Sequence, residues 1–283
     1  MRKSFNLQLS NGAMLKLGES TIVVGVLNVT PDSFSDGGQH FDSLRAIEHG
    51  LGMESDGADI IEIGGESTRP GAPALSADEE LARVSPVLKA LGKRLRIPVA
   101  IDTYKSEVAR VALDLGASII NDVSALRFDA RIADVAVRGA ALLVLMHMRG
   151  EPQTMQKIEP SLDIFGDIES DFNTAIGEAE SRGVQRERII LDPGIGFGKT
   201  LEQNLSILNH LHRFEKLGMP LMIGTSRKSF IGRLTGRPES DRVFGTAASV
   251  ALAISRGAHM IRVHDVKEMS EVARIADRIL AAD

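Results

Sequence analysis

Short apolar runs recur along the chain at intervals that leave room for a helix between them. Eight stand out: Ile22 to Leu27, Ala58 to Ile63, Ile97 to Ile101, Ala117 to Ile120, Ala141 to Met146, Ile189 to Leu191, Pro220 to Ile223 and His259 to Val263. Continuous runs of this length are what strands buried on both faces of a parallel sheet look like. The stretches between them carry the helical period instead. In Ser76 to Leu95, the residues Leu81, Val84, Val87, Leu88 and Leu91 fall on one face, and Ser76 with Glu79 forms a capping box. Asp241 to Arg256 repeats the pattern with Val243, Ala247, Val250, Ala251 and Ile254. Ahead of these elements, Phe5 to Leu9 and Met14 to Leu17 flank Asn11-Gly12, a strong short-range hairpin signal. The pattern predicts eight strands alternating with eight helices over 22–283, preceded by a hairpin within residues 1–18 that covers the bottom of that assembly.

No Pro/Gly linker and no shift in composition divides the chain, so the alternation points to a single-domain α/β (β/α)8 barrel of the TIM type, with a doubly wound sheet as the other architecture. The barrel reading makes a prediction of its own, because barrel enzymes keep their chemistry at the carboxyl ends of the strands. Polar residues do gather there: Asn28, Gly64-Gly-Glu-Ser-Thr-Arg-Pro-Gly71, Asp102-Thr103, Asn121-Asp122, His147, Asp192 to Lys199, Gly224 to Ser229 and Arg262 to Lys267. The first of these ends opens into Asn28 to Gly38, where Asp32 and Asp36 offer the hard oxygens that Mg²⁺ accepts and Gly37-Gly38 permits unusual backbone angles. It reads as an oxygen-rich lid; the plainer reading is a surface turn.

Composition narrows the chemistry. A net charge of −5 argues against a general nucleic-acid or anionic-membrane surface, so any anionic ligand needs a local cluster of cations. The chain has no cysteine, which removes disulfides, thiolate nucleophiles and thiolate zinc sites together. Neither a secretory leader nor a run of about 18 apolar residues is present, which predicts a cytoplasmic protein.

In the barrel, Asp102, Asn121 and Asp192 converge at the mouth and offer carboxylates and an amide to a planar ring with adjacent N–H donors, a pterin or a purine. Arg262 and His264 are two apart on one strand and face one side, where with Arg69 they form a phosphate-binding corner. The competing roles are helix N-caps for the acidic residues and, for the Arg262–His264 pair, a salt bridge to Asp265 or Glu268. Gly194 to Thr200 looks like a nucleotide phosphate loop, but its spacing fails by one because position 193 is Pro. The histidines show no zinc spacing, and His210 and His212 read as surface residues.

Taken together, Gly25–Gly38, Gly64–Gly71, Asp102-Thr103, Asn121-Asp122, Leu191–Lys199, Ser226-Arg-Lys-Ser229 and Arg262–Lys267 resemble the dihydropteroate synthase family, pterin-binding enzymes of folate biosynthesis and the targets of sulfonamides. The likeness spans nearly the whole chain, with every block in the family's order. It implies a transferase that joins 6-hydroxymethyl-7,8-dihydropterin diphosphate to 4-aminobenzoate with Mg²⁺, releasing 7,8-dihydropteroate and pyrophosphate by a dissociative path. It also implies a homodimer, with sulfonamides as competitive inhibitors.

By matching motif, the resemblance implies that Asp102, Asn121, Met146, Asp192, Gly224 and Lys228 hold the pterin, and that Asn28, Thr68, Arg69, Arg262 and His264 hold the diphosphate. Phe34, Thr68, Arg69, Pro70, Phe197, Lys228 and Ser229 frame the aminobenzoate, and Asn28 and Asp36 lie at the metal. Asp102, Asp192, Lys228, Arg262 and His264 are the implied catalytic set. Two other readings share a pterin pocket. A pterin-dependent methyltransferase would not need Ser226 to Ser229 beside Ser67-Thr-Arg69, and a non-catalytic paralogue would have lost loop or diphosphate residues, none of which is missing. One departure is visible: Glu62 stands where the family usually has Asp.

Overall fold

The computed structural model describes residues 2–30, 38–67 and 71–282. Strands β1 (Phe5–Gln8) and β2 (Met14–Leu17) pair antiparallel, with Phe5 opposite Leu17 and Gln8 opposite Met14. The chain continues through β3 (Ile22–Asn28), α1 (Gly38–Ser55), β4 (Ile60–Gly64), α2 (Ala77–Arg94), β5 (Val99–Asp102) and α3 (Ser106–Asp114). Next come β6 (Ile119–Asp122), α4 (Arg131–Arg138), β7 (Leu142–Met146), α5 (Ile164–Ser181), β8 (Ile189–Asp192) and α6 (Leu201–Asn209). The last part holds β9 (Met222–Ile223), α7 (Ser229–Thr235), α8 (Val243–Ser255), β10 (Met260–Val263) and α9 (Val266–Leu280).

Strands β3 to β10 are parallel in the order β8-β7-β6-β5-β4-β3-β10-β9. A parallel bridge between Leu191 and Leu221, with the Leu191 N–H donating to Pro220 O at 3.0 Å, joins the two ends. The sheet is therefore closed, a (β/α)8 barrel and not an open doubly wound sheet. Five of the eight strands run one or two residues further toward the mouth than the apolar runs suggest, because Asn28, Gly64, Asp102, Asp122 and Asp192 are themselves the last ladder residues.

Side-chain alternation sorts each strand into two sets. Val24, Ile60, Ala100, Ile119, Leu142, Val144, Ile190, Met222 and Met260 form one buried cluster with Leu7, Leu9, Leu15 and Leu17 of the hairpin. Their neighbours, among them Val23, Ile61, Ile101, Ile120, Leu143, Leu191 and Ile261, pack outward against the helices. The hairpin thus plugs the amino end of the barrel, as expected. Counting upward by twos from the inner set reaches Asn28, Glu62 and Gly64, Asp102, Asn121, Met146, Asp192, Gly224, Arg262 and His264. The barrel's own period points these residues into its mouth.

The predicted capping box of α2 is formed, with Ser76 Oγ accepting from the Glu79 N–H. The segment predicted from Asp241 begins as α8 only at Val243, because Asp241 belongs to a 3₁₀ turn and its carboxylate accepts from Arg237. Among the described residues there are nine helices where eight were expected. The extra one is α7, which is closed by Gly236 at φ +72° and separates Ser229 from α8.

Candidate active site

Arg262 is the hub of the barrel mouth. Its Nη2 donates to Asp102 Oδ2 at 2.6 Å and its Nε donates to Glu62 Oε1. The other Glu62 oxygen accepts from Asn121 Nδ2 at 3.0 Å. Four strands, β10, β4, β5 and β6, are joined by these bonds. The salt bridge from Arg262 to Asp265 or Glu268 that competed with the site reading is not formed; Asp265 pairs with Arg227. Burial raises the pKa of Asp102 and Arg262 opposes it, while Glu62 adds to the rise. One guanidinium shared by two carboxylates leaves negative charge in excess.

Gly64 lies between amide and carboxylate. A Cβ there would stand 3.5 Å from Asp102 Cβ, 3.8 Å from Asn28 Oδ1 and 3.9 Å from Asp102 Oδ2, all ordinary contact distances. Across the mouth, Asp192 Oδ1 accepts from the Gly194 N–H at 2.7 Å. This is a turn contact and not a helix N-cap. Burial pushes Asp192 up to about 6, eased by Gly194 and by the charges of Arg262 and Lys228.

Lys228 stands at the N-cap of α7, its Nζ 4.1 Å from the centroid of the Phe197 ring, a cation–π distance. Phe197 belongs to a small apolar cluster with Val123, Met146, Met148 and Met155. Met146, Phe197 and Lys228 are thereby brought to one side of the mouth; Ser229 is exposed beside them, and Gly224 borders the Arg262 stem at 3.7 Å from where its Cβ would be. His264 has its N–H on Ser226 Oγ at 3.1 Å and its Nδ1 3.0 Å from the same oxygen. Nε2 is the nitrogen turned away from that hydroxyl. Burial and then Arg262 hold the imidazole neutral, down to about 3.

The loop after β8 is not a phosphate loop. Gly194, Gly196 and Gly198 all have positive φ, and a Cβ on Gly194 would stand 2.0 Å from His147 O. Lys199 turns back into this loop, donating to Gly194 O at 2.8 Å, Phe197 O at 3.1 Å and His147 O at 3.2 Å. Burial lowers it to about 7. Asp122, next to Asn121, also serves structure: it accepts from the Ser124 and Leu126 N–H groups and holds Ala125 and Leu126 at positive φ. His210 and His212 are exposed, as read from the sequence.

Phe34, Asp36, Thr68, Arg69 and Pro70 lie outside the described residues, as do Asp32 and most of the oxygen-rich stretch. Of the metal pair, only Asn28 is described. Among the described residues no three His, Cys, Asp or Glu side chains group as a metal cage. The half-buried Asn28 amide oxygen is a hard donor beside the acidic mouth, which suits an ion taking most of its ligands from a diphosphate and water.

Three contributors give no plain signal in the sequence. Glu62 shows there only as a departure from the family, although counting by twos from Gly64 places it inside. Lys199 is hidden by the false phosphate loop. Glu66, Lys105 and Glu80 form a partly buried ion triad at the foot of the loop after β4, with Lys105 Nζ 2.5 Å from Glu80 Oε2 and also paired with Glu66.

A closed barrel with a carboxylate–amide cradle and a cationic corner at its mouth defines a class of ring-binding barrel enzymes, and the comparisons agree. The sequence profile described as pterin binding enzyme matches residues 24–264. A dihydropteroate synthase of Synechocystis sp. is 48% identical over 264 residues, covering 93% of this chain and 91% of the relative. The structure of a Xanthomonas albilineans dihydropteroate synthase with 4-aminobenzoic acid is 41% identical with a TM-score of 0.92, covering 99% of this chain and 100% of that one. That of the Yersinia pestis dihydropteroate synthase with a sulfonamide drug complex is 40% identical, also at 0.92, covering 98% and 100%. The chain belongs to the dihydropteroate synthase family of transferases.

Proposed function

We propose that the barrel mouth joins 6-hydroxymethyl-7,8-dihydropterin diphosphate to 4-aminobenzoate, giving 7,8-dihydropteroate and pyrophosphate, with Mg²⁺ as the metal. The observation that carries this reading is the placement of Asp102, Asn121 and Asp192 around the mouth that also holds Arg262 and His264. The first three match the edge of a ring bearing adjacent N–H donors, and the last two match an anionic leaving group. Complexes of relatives with 4-aminobenzoic acid and with a sulfonamide support the second substrate and support sulfonamides as its competitors.

In this reading the bond between the pterin methylene carbon and the diphosphate oxygen breaks, its electron pair leaving with pyrophosphate. The aminobenzoate nitrogen then supplies the pair for the new C–N bond and loses a proton. Arg262 and the Nε2 side of His264 meet the charge that gathers on the leaving group. Asp102 and Asp192 offset the positive charge that develops on the pterin methylene, and their burial strengthens that interaction. The apolar group of Met146, Met148 and Phe197 keeps water from this side. Asn28, with Asp36, would hold a divalent ion, which when bound would supply further neutralisation of charge on pyrophosphate. Thr68, Arg69, Pro70 and Phe34 complete the aminobenzoate and diphosphate contacts by their place in the sequence.

A cytoplasmic homodimer is part of the proposal. Phe244 is 85% exposed and Leu252 59% exposed on α8, and Ile275 and Ile279 are exposed on the neighbouring α9, an apolar face of the kind that a second copy covers. Among the described residues no helix is long and apolar enough to cross a membrane. The test is a steady-state assay that follows both products with and without Mg²⁺. Equal, metal-dependent appearance of pyrophosphate and dihydropteroate is expected; pyrophosphate release that never yields dihydropteroate would overturn the transfer.

A further inference from the structure

Glu62 is 1% exposed, on the inner face of β4 one layer below Gly64, and the roles assigned above leave it without a substrate contact. We propose that Glu62 is a positioning residue, whose carboxylate holds Arg262 with one oxygen and Asn121 with the other and so fixes which end of the Asn121 amide faces the ring. The inference rests on the pterin reading of the mouth.

An asparagine amide has a donor end and an acceptor end of nearly equal size, and its orientation follows from its hydrogen bonds. Here Nδ2 donates to Glu62 Oε2 at 3.0 Å. That leaves Oδ1, which is buried and has no hydrogen-bond partner among the described residues. A buried acceptor without a donor is unfavourable until something fills it, and a ring N–H does so. The mouth is thereby set to read a donor at this position and to reject a ring presenting an acceptor.

The chemistry requires a carboxylate at position 62. An ionised carboxylate is acceptor-only and can take both the Arg262 Nε–H and the Asn121 Nδ2–H. Glutamine would turn an N–H toward one of these two donors, either releasing Arg262 or flipping Asn121. The same side chain thus couples the diphosphate side to the ring side, between residues that are 200 and 59 positions away in sequence.

The test uses the full chain as wild type, Glu62→Gln and Glu62→Asp, titrated calorimetrically with 6-hydroxymethylpterin, the ring alone, and with 4-aminobenzoate. Glu62→Gln is expected to weaken ring binding at least tenfold and leave aminobenzoate binding within twofold. Glu62→Asp, which keeps two acceptor oxygens, is expected to stay within threefold of wild type on the ring. Wild-type ring affinity in Glu62→Gln, or equal losses in the two variants, would overturn the proposal.

Should Glu62→Gln fail to fold, the side-chain NH2 resonances of Asn121 in the ¹⁵N–¹H spectrum of wild type decide. They are expected to show slowed solvent exchange before any ligand is added and to keep it with the ring bound; fast exchange in the free protein would overturn the proposal. Because that spectrum is read without ligand, a wild type that binds no pterin counts against the function and leaves the Glu62 test standing.

Discussion

Asp192 sits where its charge is disfavoured, and this has opposite consequences for stability and for chemistry. Burial raises its pKa from 3.8 to about 6 in the folded chain, so the folded state holds the proton more tightly than the unfolded one. The associated stability is fully present below the unfolded pKa and is lost as pH rises through about 6. Asp192→Asn, which keeps an oxygen for the Gly194 N–H, is therefore expected to be more stable than wild type at pH 8 by up to about 3 kcal/mol and to melt higher, with little gain at pH 4. In the same variant kcat/KM should fall about 10²-fold, the size of a lost transition-state contact. Melting curves at the two pH values with steady-state rates check both, and a variant no more stable at pH 8 contradicts the burial argument. For wild type, kcat/KM for the pterin diphosphate should decline as pH drops through about 6, where Asp192 takes up its proton. Asp102, Asn121 and Asp192 were legible in the sequence because each ends or nearly ends an apolar run. Glu62 was not, because its importance depends on an arginine 200 positions away.

At the scale of elements, the loop after β4 is tied at its foot by Glu66. Glu66 Oε1 accepts from Tyr104 Oη at 2.7 Å and from the Leu75 N–H at 3.2 Å, and Oε2 meets the Lys105 ammonium, which also reaches Glu80. Lys105→Met would leave Glu80, which is 0% exposed, without its cation. It is expected to lose about 3 kcal/mol of stability, the range seen when a buried pair is broken on one side. Because Thr68 and Arg69 lie in sequence between Glu66 and Leu75, KM for 4-aminobenzoate should rise about tenfold while kcat changes less. Denaturant unfolding and steady-state kinetics measure the two effects; an unchanged KM would separate the triad from the loop. The capping box of α2 was legible because Ser76 and Glu79 are local. The triad and α7 were not: the one joins residues of α2 with the segments after β4 and before α3, and the other is a helix of seven residues too short to show a period.

The whole molecule separates stability from chemistry along the barrel axis. At the amino end, the hairpin leucines seal the interior. Arg2 reaches Thr21 Oγ1 at 2.7 Å and Asp277 Oδ1 at 2.5 Å, stapling the start of the chain to α9. Leu17→Ala, at a site 2% exposed, should cost about 2–4 kcal/mol while leaving kcat/KM within about twofold well below its melting temperature. A large loss of activity in the folded variant would show that the two ends are coupled. On the outer surface, Phe244→Glu is expected to convert a dimer to a monomer in sedimentation velocity, and unchanged mass would place the contact elsewhere. Barrel closure was readable from eight apolar runs with polar residues at one end of each. β9 lies inside the predicted run Pro220 to Ile223, but it has only two ladder residues, because its pairing to β8 is completed by a single bridge at Leu221.

A crystal structure of the chain with dihydropterin diphosphate and a sulfonamide in the aminobenzoate position tests this site directly. The N–H edge of the ring is expected on Asp102, Asn121 Oδ1 and Asp192, with the diphosphate on Arg262 and His264. A ring bound away from these three side chains, or reversed with its diphosphate on the Asp192 side, would contradict it.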